Sequence, residues 1–208
     1  MDQSVKFWDK IAEKYSKQPV ADEVSYQKKL KVTQAYFKSD MQVLELGCGT
    51  GSTAIVHAPF VEHIRAVDVS PNMIEIAKRK AEAKQIANIT FEVSAVESLN
   101  VVDESMDVVM AHSLLHLLEG KEAVIARIFE MLKPGGLFVS STMCMNDAMW
   151  FLKPVIPMMR LFGKAPEVVR FFSAKQLLKS VTDAGFEINY KWHPGKTKAV
   201  FIVAKKPD

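Results

Sequence analysis

The 208-residue sequence contains only two cysteines, Cys48 and Cys144. So few thiols exclude a disulfide framework, form no zinc-binding pattern and fit a reducing compartment. No apolar run approaches the roughly 20 residues that a membrane-spanning helix needs. The first residues also do not resemble a secretory signal sequence. We therefore expect a cytoplasmic protein without a transmembrane segment, while contact with a membrane surface stays open.

The sequence also has no large excess of one charge. It contains 27 lysines and arginines and 24 aspartates and glutamates, for a formal net charge of +3. This excess is too small to indicate a nucleic-acid partner. The sequence has no internal repeat, low-complexity stretch or flexible linker, and its length suits one domain with a buried core. We expect a single domain over residues 1–208, as a monomer or homodimer. It would comprise an N-terminal helical cap (1–40), a core (41–142), an apolar insertion (143–172) and a C-terminal helix and hairpin (173–208).

The most informative stretch begins at Val43, where an apolar run gives way to glycines at positions 47, 49 and 51 and then to a helical pattern. This order predicts a strand, a tight turn and the start of a helix. Glycine has no Cβ, so it can adopt positive φ and let the backbone lie against a ligand at the helix N-terminus. The spacing G-x-G-x-G differs from the G-x-G-x-x-G of dinucleotide-binding folds, and no Walker loop sequence follows.

The run E-L-G-C-G-T-G from Glu45 to Gly51 resembles motif I of the class I S-adenosylmethionine-dependent methyltransferases. The run D-V-S-P-N-M from Asp68 to Met73 and the run L-K-P-G-G from Leu132 resemble later motifs of the same family. The motifs occur in the right order over about a hundred residues, which makes the resemblance more specific than the glycine run alone. For the glycine run by itself, a plain tight turn without a ligand is the alternative.

Asp68 ends the second predicted strand, 21 residues after Gly47. A carboxylate at the tip of a neighbouring strand is placed to accept both hydroxyls of a ribose. Ser70 and Pro71 supply the N-cap and first position of the next helix. We therefore expect Asp68 to be free for a ligand.

The resemblance implies S-adenosylmethionine as the cofactor, with its methionine part on the glycine loop and Ala111, its ribose on Asp68 and its adenine on Met73, Ala95 and Val96. An N-terminal W-x-x-x-A-x-x-Y segment ending at Tyr15 is implied to fold over the cofactor. The full predicted cofactor set is Tyr15, Glu45, Gly47, Cys48, Gly49, Gly51, Asp68, Val69, Met73, Ala95, Val96, Glu97, Ala111 and His112. Ala95 departs from the family, which commonly has an acid there to accept the adenine amino group. That hydrogen bond would have to come from Ser94, Glu97, the backbone or water.

Two histidines, His112 and His116, follow the fourth predicted strand and would share one face of a helix at spacing i, i+4. Histidine titrates near neutral pH, so both are candidate general bases, needed only if the acceptor is protonated at working pH. Packing is an equal alternative for His116. We expect no metal, because a site needs three or four ligands and no further ones are recognisable. The stretch also lacks the Asn-Pro-Pro-Tyr sequence of methyltransferases that act on amide or exocyclic amino nitrogens.

Strands and helices alternate from Val43 to Thr142, which predicts an α/β fold: a Rossmann-like, doubly wound, mostly parallel sheet with helices on both faces. A C-terminal hairpin would add antiparallel strands. Pro134-Gly135-Gly136 predicts a sharp reversal between a helix and the fifth strand, and the lysine run that includes Lys29 predicts a solvated helix face.

The predicted function is methyl transfer from S-adenosylmethionine to a small, partly apolar acceptor by in-line displacement. A nicotinamide-dependent oxidoreductase and a catalytically silent S-adenosylmethionine-binding subunit are the alternatives. Residues 143–172 are rich in methionine and aromatic side chains, which suits the lid and wall of an apolar acceptor pocket. Met149, Trp150, Met158 and Phe162 are the side chains expected there, with core packing or subunit pairing as alternative roles.

Overall fold

The computed structural model describes residues 3–208. Within them the α-helices are α1 (Gln3–Ser16), α2 (Glu23–Gln34), α3 (Ser52–His57), α4 (Pro71–Ala83), α5 (Lys121–Met131), α6 (Ile156–Leu161) and α7 (Ala174–Asp183). The strands are β1 (Gln42–Leu46), β2 (His63–Asp68), β3 (Ile89–Val93), β4 (Met106–His112), β5 (Leu132–Thr142), β6 (Glu187–Trp192) and β7 (Val200–Lys205).

All seven strands form one sheet in the order β3-β2-β1-β4-β5-β7-β6. Strands β1 to β5 are parallel, whereas β7 runs antiparallel to both β5 and β6. The predicted fold class is therefore confirmed. Strand β1 has β2 on one side and β4 on the other, so the connections after β1 and after β3 run to opposite sides of β1. Such a switch point opens a crevice at the carboxyl ends of the strands.

The sheet is buried on both faces, as the continuous apolar runs of its central strands require. One face packs against α5 and α7 through residues such as Leu44, Phe138 and Leu177. The other face packs against α3 and α4 through residues such as Ile64 and Ala77. The carboxyl ends of the strands are thus held on a rigid, two-sided core.

The Pro-Gly-Gly stretch lies within β5, and not between the helix and the strand as predicted. Helix α5 ends at Met131 and β5 begins at the next residue, so Pro134-Gly135-Gly136 lies inside the strand. The pairing with β4 is irregular there, since Met106 pairs with Leu132 and Val108 pairs with Leu137. Gly135 has a φ of +75°, a conformation that glycine adopts without steric cost. The chain therefore turns locally inside β5, because a Cβ on Gly136 would lie 2.8 Å from the Lys133 carbonyl oxygen and three extra β5 residues bulge from the pairing with β4.

The two N-terminal helices pack against the core in different ways. In α2, Leu30 and Thr33 are buried, but Lys29 is not on the predicted solvated face, because its Nζ donates to Ser141 Oγ on β5 at 2.8 Å. Helix α1 is fastened to the start of α4 by Asp9, whose Oδ1 accepts from Ser70 Oγ at 2.5 Å. This contact places α1 over the carboxyl edge of the sheet.

The predicted insertion consists of short elements. The 3₁₀ turns Met145–Asp147 and Trp150–Leu152 precede α6, and an irregular stretch leads to α7. Across residues 3–208, no helix combines the length and apolar character that crossing a membrane requires.

Candidate active site

A cavity of about 900 Å³ opens at the carboxyl edge of the sheet, over the switch point. The predicted site residues that line it are Tyr15, Gly47, Gly49, Asp68, Val69, Met73, Ala95, Val96, Glu97 and His112. Those that the structure places outside its lining are Glu45, Cys48, Gly51, Ala111 and His116. The predicted set therefore separates into a lining group and a supporting group.

The glycine loop after β1 shows this separation within five residues. Gly47, Gly49 and Gly51 all have positive φ, at +67°, +54° and +72°. A Cβ on Gly49 would meet only Tyr15 Cε1, at 4.0 Å, so the backbone faces open cavity there. A Cβ on Gly51 would lie 2.8 Å from Ala77 Cβ, so this glycine allows α3 and α4 to approach each other.

Asp68 at the end of β2 binds the protein's own backbone. Its Oδ2 accepts from Gly49 N at 2.8 Å and its Oδ1 accepts from Ser70 N at 2.9 Å. The expectation of a free carboxylate is wrong in this respect, although Ser70 is the N-cap as predicted. A carboxylate offers about four acceptor positions, so Asp68 keeps capacity toward the cavity. Burial raises its pKa, against the lowering effect of the N–H donors.

Glu45 lies beneath the glycine loop and is almost fully buried. Burial, followed by the charge of Asp68, raises the pKa of Glu45 to about 8, although a backbone hydrogen bond from Ala54 opposes the shift. Within the described part of the chain, its Oε2 has no hydrogen-bond partner. Glu45 is therefore placed to support the loop from below and does not line the cavity.

The far end of the cavity is mostly apolar. Met73 is 2% exposed and packs with Ala12 of α1, while Ala95 and Val96 line the cavity after β3. Ser94 Oγ already donates to the Ala95 carbonyl at 3.1 Å. Glu97 lines the same end. Position 95 is alanine, so Glu97 is the carboxylate that could take over the role of the missing acid.

Helix α1 closes one side of the cavity with Trp8 and Tyr15, whose rings meet edge to face at 6.5 Å between centroids. Burial, and secondly the charge of Asp68, raises the pKa of Tyr15. The phenol therefore stays protonated at neutral pH and offers a hydrogen-bond donor at the cavity wall.

The two histidines do not share a helix face as predicted. His112 is the last residue of β4, and His116 lies in the 3₁₀ turn Leu115–Leu117. Burial lowers the pKa of His112 to about 3, with smaller effects from His57 and Lys29, and lowers that of His116 to about 4. The carbonyl of His116 accepts from Arg170 N at 2.8 Å. Only His112 lines the cavity.

Several lining residues were absent from the sequence prediction. A Cβ on Gly47 would lie 2.9 Å from Leu114 Cδ1, so Leu114 covers the loop. Much of the remaining wall is apolar and comes from the turn after β4 and from α5, through Leu117, Leu118, Val124, Ile128 and Met131. Their pattern is that of ordinary core residues, so periodicity carried no signal for them.

The apolar insertion contributes little to the cavity, which it reaches only with Glu167 and Val168. The side chains of Met149, Trp150, Met158 and Phe162 are not among the lining residues, so they do not form the predicted wall. The described residues also contain no group of three or more His, Cys, Asp or Glu that could hold a metal ion.

Residues 37–190 match the family model described as a methyltransferase domain. The chain belongs to this family. The match spans more than half of the chain and, with the fold, confirms the class I S-adenosylmethionine-dependent methyltransferase family and its cofactor as predicted.

The chain is 35% identical over 108 residues to a demethylmenaquinone methyltransferase of Leptospira interrogans, which is 50% of this chain and 43% of the relative. It is 28% identical over 110 residues to the uncharacterized methyltransferase YcgJ of Bacillus subtilis, which is 53% of this chain and 44% of that one. The chain thus spans less than half the length of these relatives. A putative methyltransferase solved in complex with the Haloferax volcanii Trm112 activator shares the fold, with a TM-score of 0.76, 16% identity and coverage of 99% of this chain and 98% of that one.

Proposed function

We propose that this protein binds S-adenosylmethionine in the 900 Å³ cavity and transfers its methyl group to a small, partly apolar acceptor. One observation carries the proposal. The open backbone at Gly49, the carboxylate of Asp68 and the thioether of Met73 lie on the wall of a single cavity, in a chain of the methyltransferase-domain family.

The residues present fit the cofactor part by part. The open backbone at Gly49 would take the methionine part, the remaining acceptor positions of Asp68 would take the ribose hydroxyls, and Met73 with Val96 would enclose the adenine. Glu97, which lines the cavity, would accept from the adenine amino group. S-adenosylmethionine supplies a methyl group on a sulfonium, from which the thioether leaves readily.

With so good a leaving group, the main task of the chain is alignment. Holding two reactants in line lowers a barrier by roughly 7–11 kcal/mol. Leu114 over Gly47 and Trp8 beside Tyr15 narrow the cavity around the loop and exclude water from it.

His112 is the proposed proton acceptor for an acceptor that carries a hydroxyl or thiol. Its pKa of about 3 keeps the imidazole neutral at physiological pH, so a ring nitrogen has a free lone pair. So low a pKa makes a weak base, and the charge of a nearby acceptor oxygen or sulfur would raise it. His116 does not line the cavity.

The acceptor class follows from the wall beyond the cofactor residues. Its side chains are mostly apolar, among them Leu114, Leu117 and Leu118, and its charged members are Glu119, Arg127 and Glu167. Such a surface favours an acceptor that is at least partly apolar. The relative named a demethylmenaquinone methyltransferase supports an apolar acceptor.

Calorimetric titration of the full chain with S-adenosylmethionine, S-adenosylhomocysteine and NAD tests the proposal. Binding of the first two without NAD is expected, and binding of NAD alone would indicate the oxidoreductase. The protein should then form S-adenosylhomocysteine with some member of a panel of quinones, phenols and thiols. Tight cofactor binding without turnover on any apolar or polar acceptor would indicate the catalytically silent subunit.

A further inference from the structure

The apolar side chains that fail to reach the cavity lie together on the surface. Twelve large apolar residues of the described chain are exposed, and half of them fall between residues 150 and 162. They are Trp150, Phe151, Val155, Met158, Leu161 and Phe162, each at least 42% exposed and Leu161 82%. The other six are scattered along the chain. A dense cluster of this kind marks an interaction site, whereas isolated exposed residues are normal.

Within the stretch that carries this cluster the charges have one sign, although Asp147 and Glu167 flank it. Residues 148–166, which we call the surface segment, contain Lys153, Arg160 and Lys164 and no aspartate or glutamate. Within residues 3–208 none of these three cations forms an ion pair. Lys10 of α1 approaches the same place, with its Nζ 3.9 Å from where a Cβ on Gly163 would stand. Exposed aromatic and aliphatic side chains interleaved with free cations are typical of elements that lie in a membrane interface.

A groove of about 620 Å³ runs beside the cluster, between the surface segment, α5 and α7. Its three acids are each paired with a base of the same groove. These pairs are Glu119 with Arg170 at 3.4 Å, Glu122 with Lys121, and Asp183 with Lys179 at 2.6 Å. Lys153 and Arg160 are the groove's cations left without an acid among the described residues. They are available to an anionic group that sits next to the apolar cluster.

From these features we propose that the surface segment binds anionic phospholipid membranes. The apolar side chains around Trp150 and Phe162 enter the interface, while Lys153, Arg160 and Lys164 contact lipid phosphates. The groove shares Leu118 and Glu119 with the cavity wall, so the membrane-facing surface adjoins the cavity. This inference goes beyond the proposed function and does not depend on it.

A second copy of the chain suits the segment less well. A symmetric dimer would bring the segment against itself, so that three cations of one copy would face three of the other with no acid of either segment between them. Like charges brought together across an interface are unfavourable. An anionic bilayer satisfies the apolar and the basic parts at once.

The test is co-sedimentation of the full chain with vesicles of phosphatidylcholine alone and of phosphatidylcholine mixed with phosphatidylglycerol. Two triple variants are compared with wild type: K153Q/R160Q/K164Q, and Trp150→Ser/Leu161→Ser/Phe162→Ser. We expect wild type to bind the anionic vesicles, more weakly as salt is raised. One cation near an anionic surface is worth about fivefold in affinity, so the charge variant should bind roughly 100-fold more weakly.

Control variants remove the same number of similar groups elsewhere. K31Q/K38Q/K196Q removes three exposed lysines, and Val20→Ser/Val24→Ser/Val102→Ser removes three exposed apolar side chains. Both should bind vesicles like wild type. Failure of wild type to bind anionic vesicles, or equal losses in the controls, would overturn the proposal. So would a wild-type dimer that the Trp150→Ser/Leu161→Ser/Phe162→Ser variant converts to monomers.

The same variants separate this proposal from the methyltransferase function. Their altered side chains are exposed, so circular dichroism and melting temperature should match wild type. Calorimetric affinity for S-adenosylmethionine should also be unchanged, because none of the altered residues lines the cavity. Variants that lose vesicle binding and keep normal cofactor affinity would support the membrane proposal without bearing on the methyltransferase function. If the wild type binds vesicles but not S-adenosylmethionine, the membrane proposal stands and the proposed function fails.

Discussion

The glycine loop after β1 lines the cavity and the surface segment lines the neighbouring groove, and different contacts hold them. The loop is tied to its neighbours by hydrogen bonds that cross the sheet edge, from Cys48 N to the Val67 carbonyl at 2.9 Å and from Gly49 N to Asp68 at 2.8 Å. The surface segment is held mainly by local bonds, such as Gly163 N to the Arg160 carbonyl at 2.9 Å.

This difference separates a cofactor floor from an adaptable surface. Bonds between elements far apart in sequence open only when the core opens, whereas a segment with local bonds and exposed side chains can rearrange by itself. Substitutions in the loop should therefore change cofactor affinity, and those in the surface segment should leave it unchanged. The experiments below test that contrast, beginning with the largest expected effect.

Gly49 and Gly163 give a direct comparison, because both have positive φ, at +54° and +61°. A branched side chain costs about 1–2 kcal/mol in that conformation at either position. Only at Gly49 would it also occupy the open cavity. Gly49→Val should abolish S-adenosylmethionine binding, measured by calorimetry, while Gly163→Val should lose a similar amount of stability and keep the affinity. Tight binding by Gly49→Val would place the cofactor elsewhere.

His112 and His116 form the second pair. With a hydroxyl or thiol acceptor, His112→Asn should lower turnover by about 10²–10⁴-fold at unchanged cofactor affinity, because it removes the basic nitrogen at the cavity wall. His116→Asn should leave turnover intact and lower the melting temperature, since the ring of His116 has a buried Nδ1 and does not line the cavity. The reverse pattern would restore His116 as the base and show that the cavity changes shape with its ligands.

The sequence was sufficient for features set by local backbone chemistry. Positive φ at Gly47, Gly49 and Gly51 and the N-cap at Ser70 depend on nearest neighbours, and strand-end residues meet at one edge in any parallel sheet. Long-range packing decided the rest. The three-residue turn that moves His116 off the wall, and the irregular pairing around Gly135, depend on register with distant residues. Likewise, the apolar composition of the insertion did not reveal whether its side chains face inward or outward.

The pH dependence of stability tests whether Glu45, next to the glycine loop, is protonated in the folded state. Its pKa rises from 4.5 to about 8 on folding, so the folded state holds a proton that the unfolded chain releases. Its contribution to stability is thus fully present below about pH 4.5 and is lost as pH rises through about 8. At about 1.4 kcal/mol per pKa unit, a rise from 4.5 to about 8 corresponds to a loss on the order of 5 kcal/mol. Glu45→Gln should remove this decline, seen as a melting temperature that exceeds wild type more at high pH than at low pH. Parallel pH profiles for both proteins would show that Glu45 is charged in the folded state.

Substitution of Asp68 should have the smallest of these effects. Its carboxylate binds the backbone of the glycine loop and would also bind the ligand. Asp68→Ala removes the acceptor for the ribose hydroxyls and frees the N–H groups of Gly49 and Ser70, so cofactor affinity should fall by about 1–3 kcal/mol. The cofactor affinity of Asp68→Asn should fall almost as far. An amide has only one oxygen, so its NH₂ group would face one of the two backbone N–H donors. Glu97→Gln is the control, since Glu97 lines the cavity without holding the loop and its amide oxygen still accepts a hydrogen bond. Calorimetry on the three variants decides between the roles. Equal losses in Asp68→Asn and Glu97→Gln would mean that negative charge in the cavity matters, and not the link between Asp68 and the glycine loop.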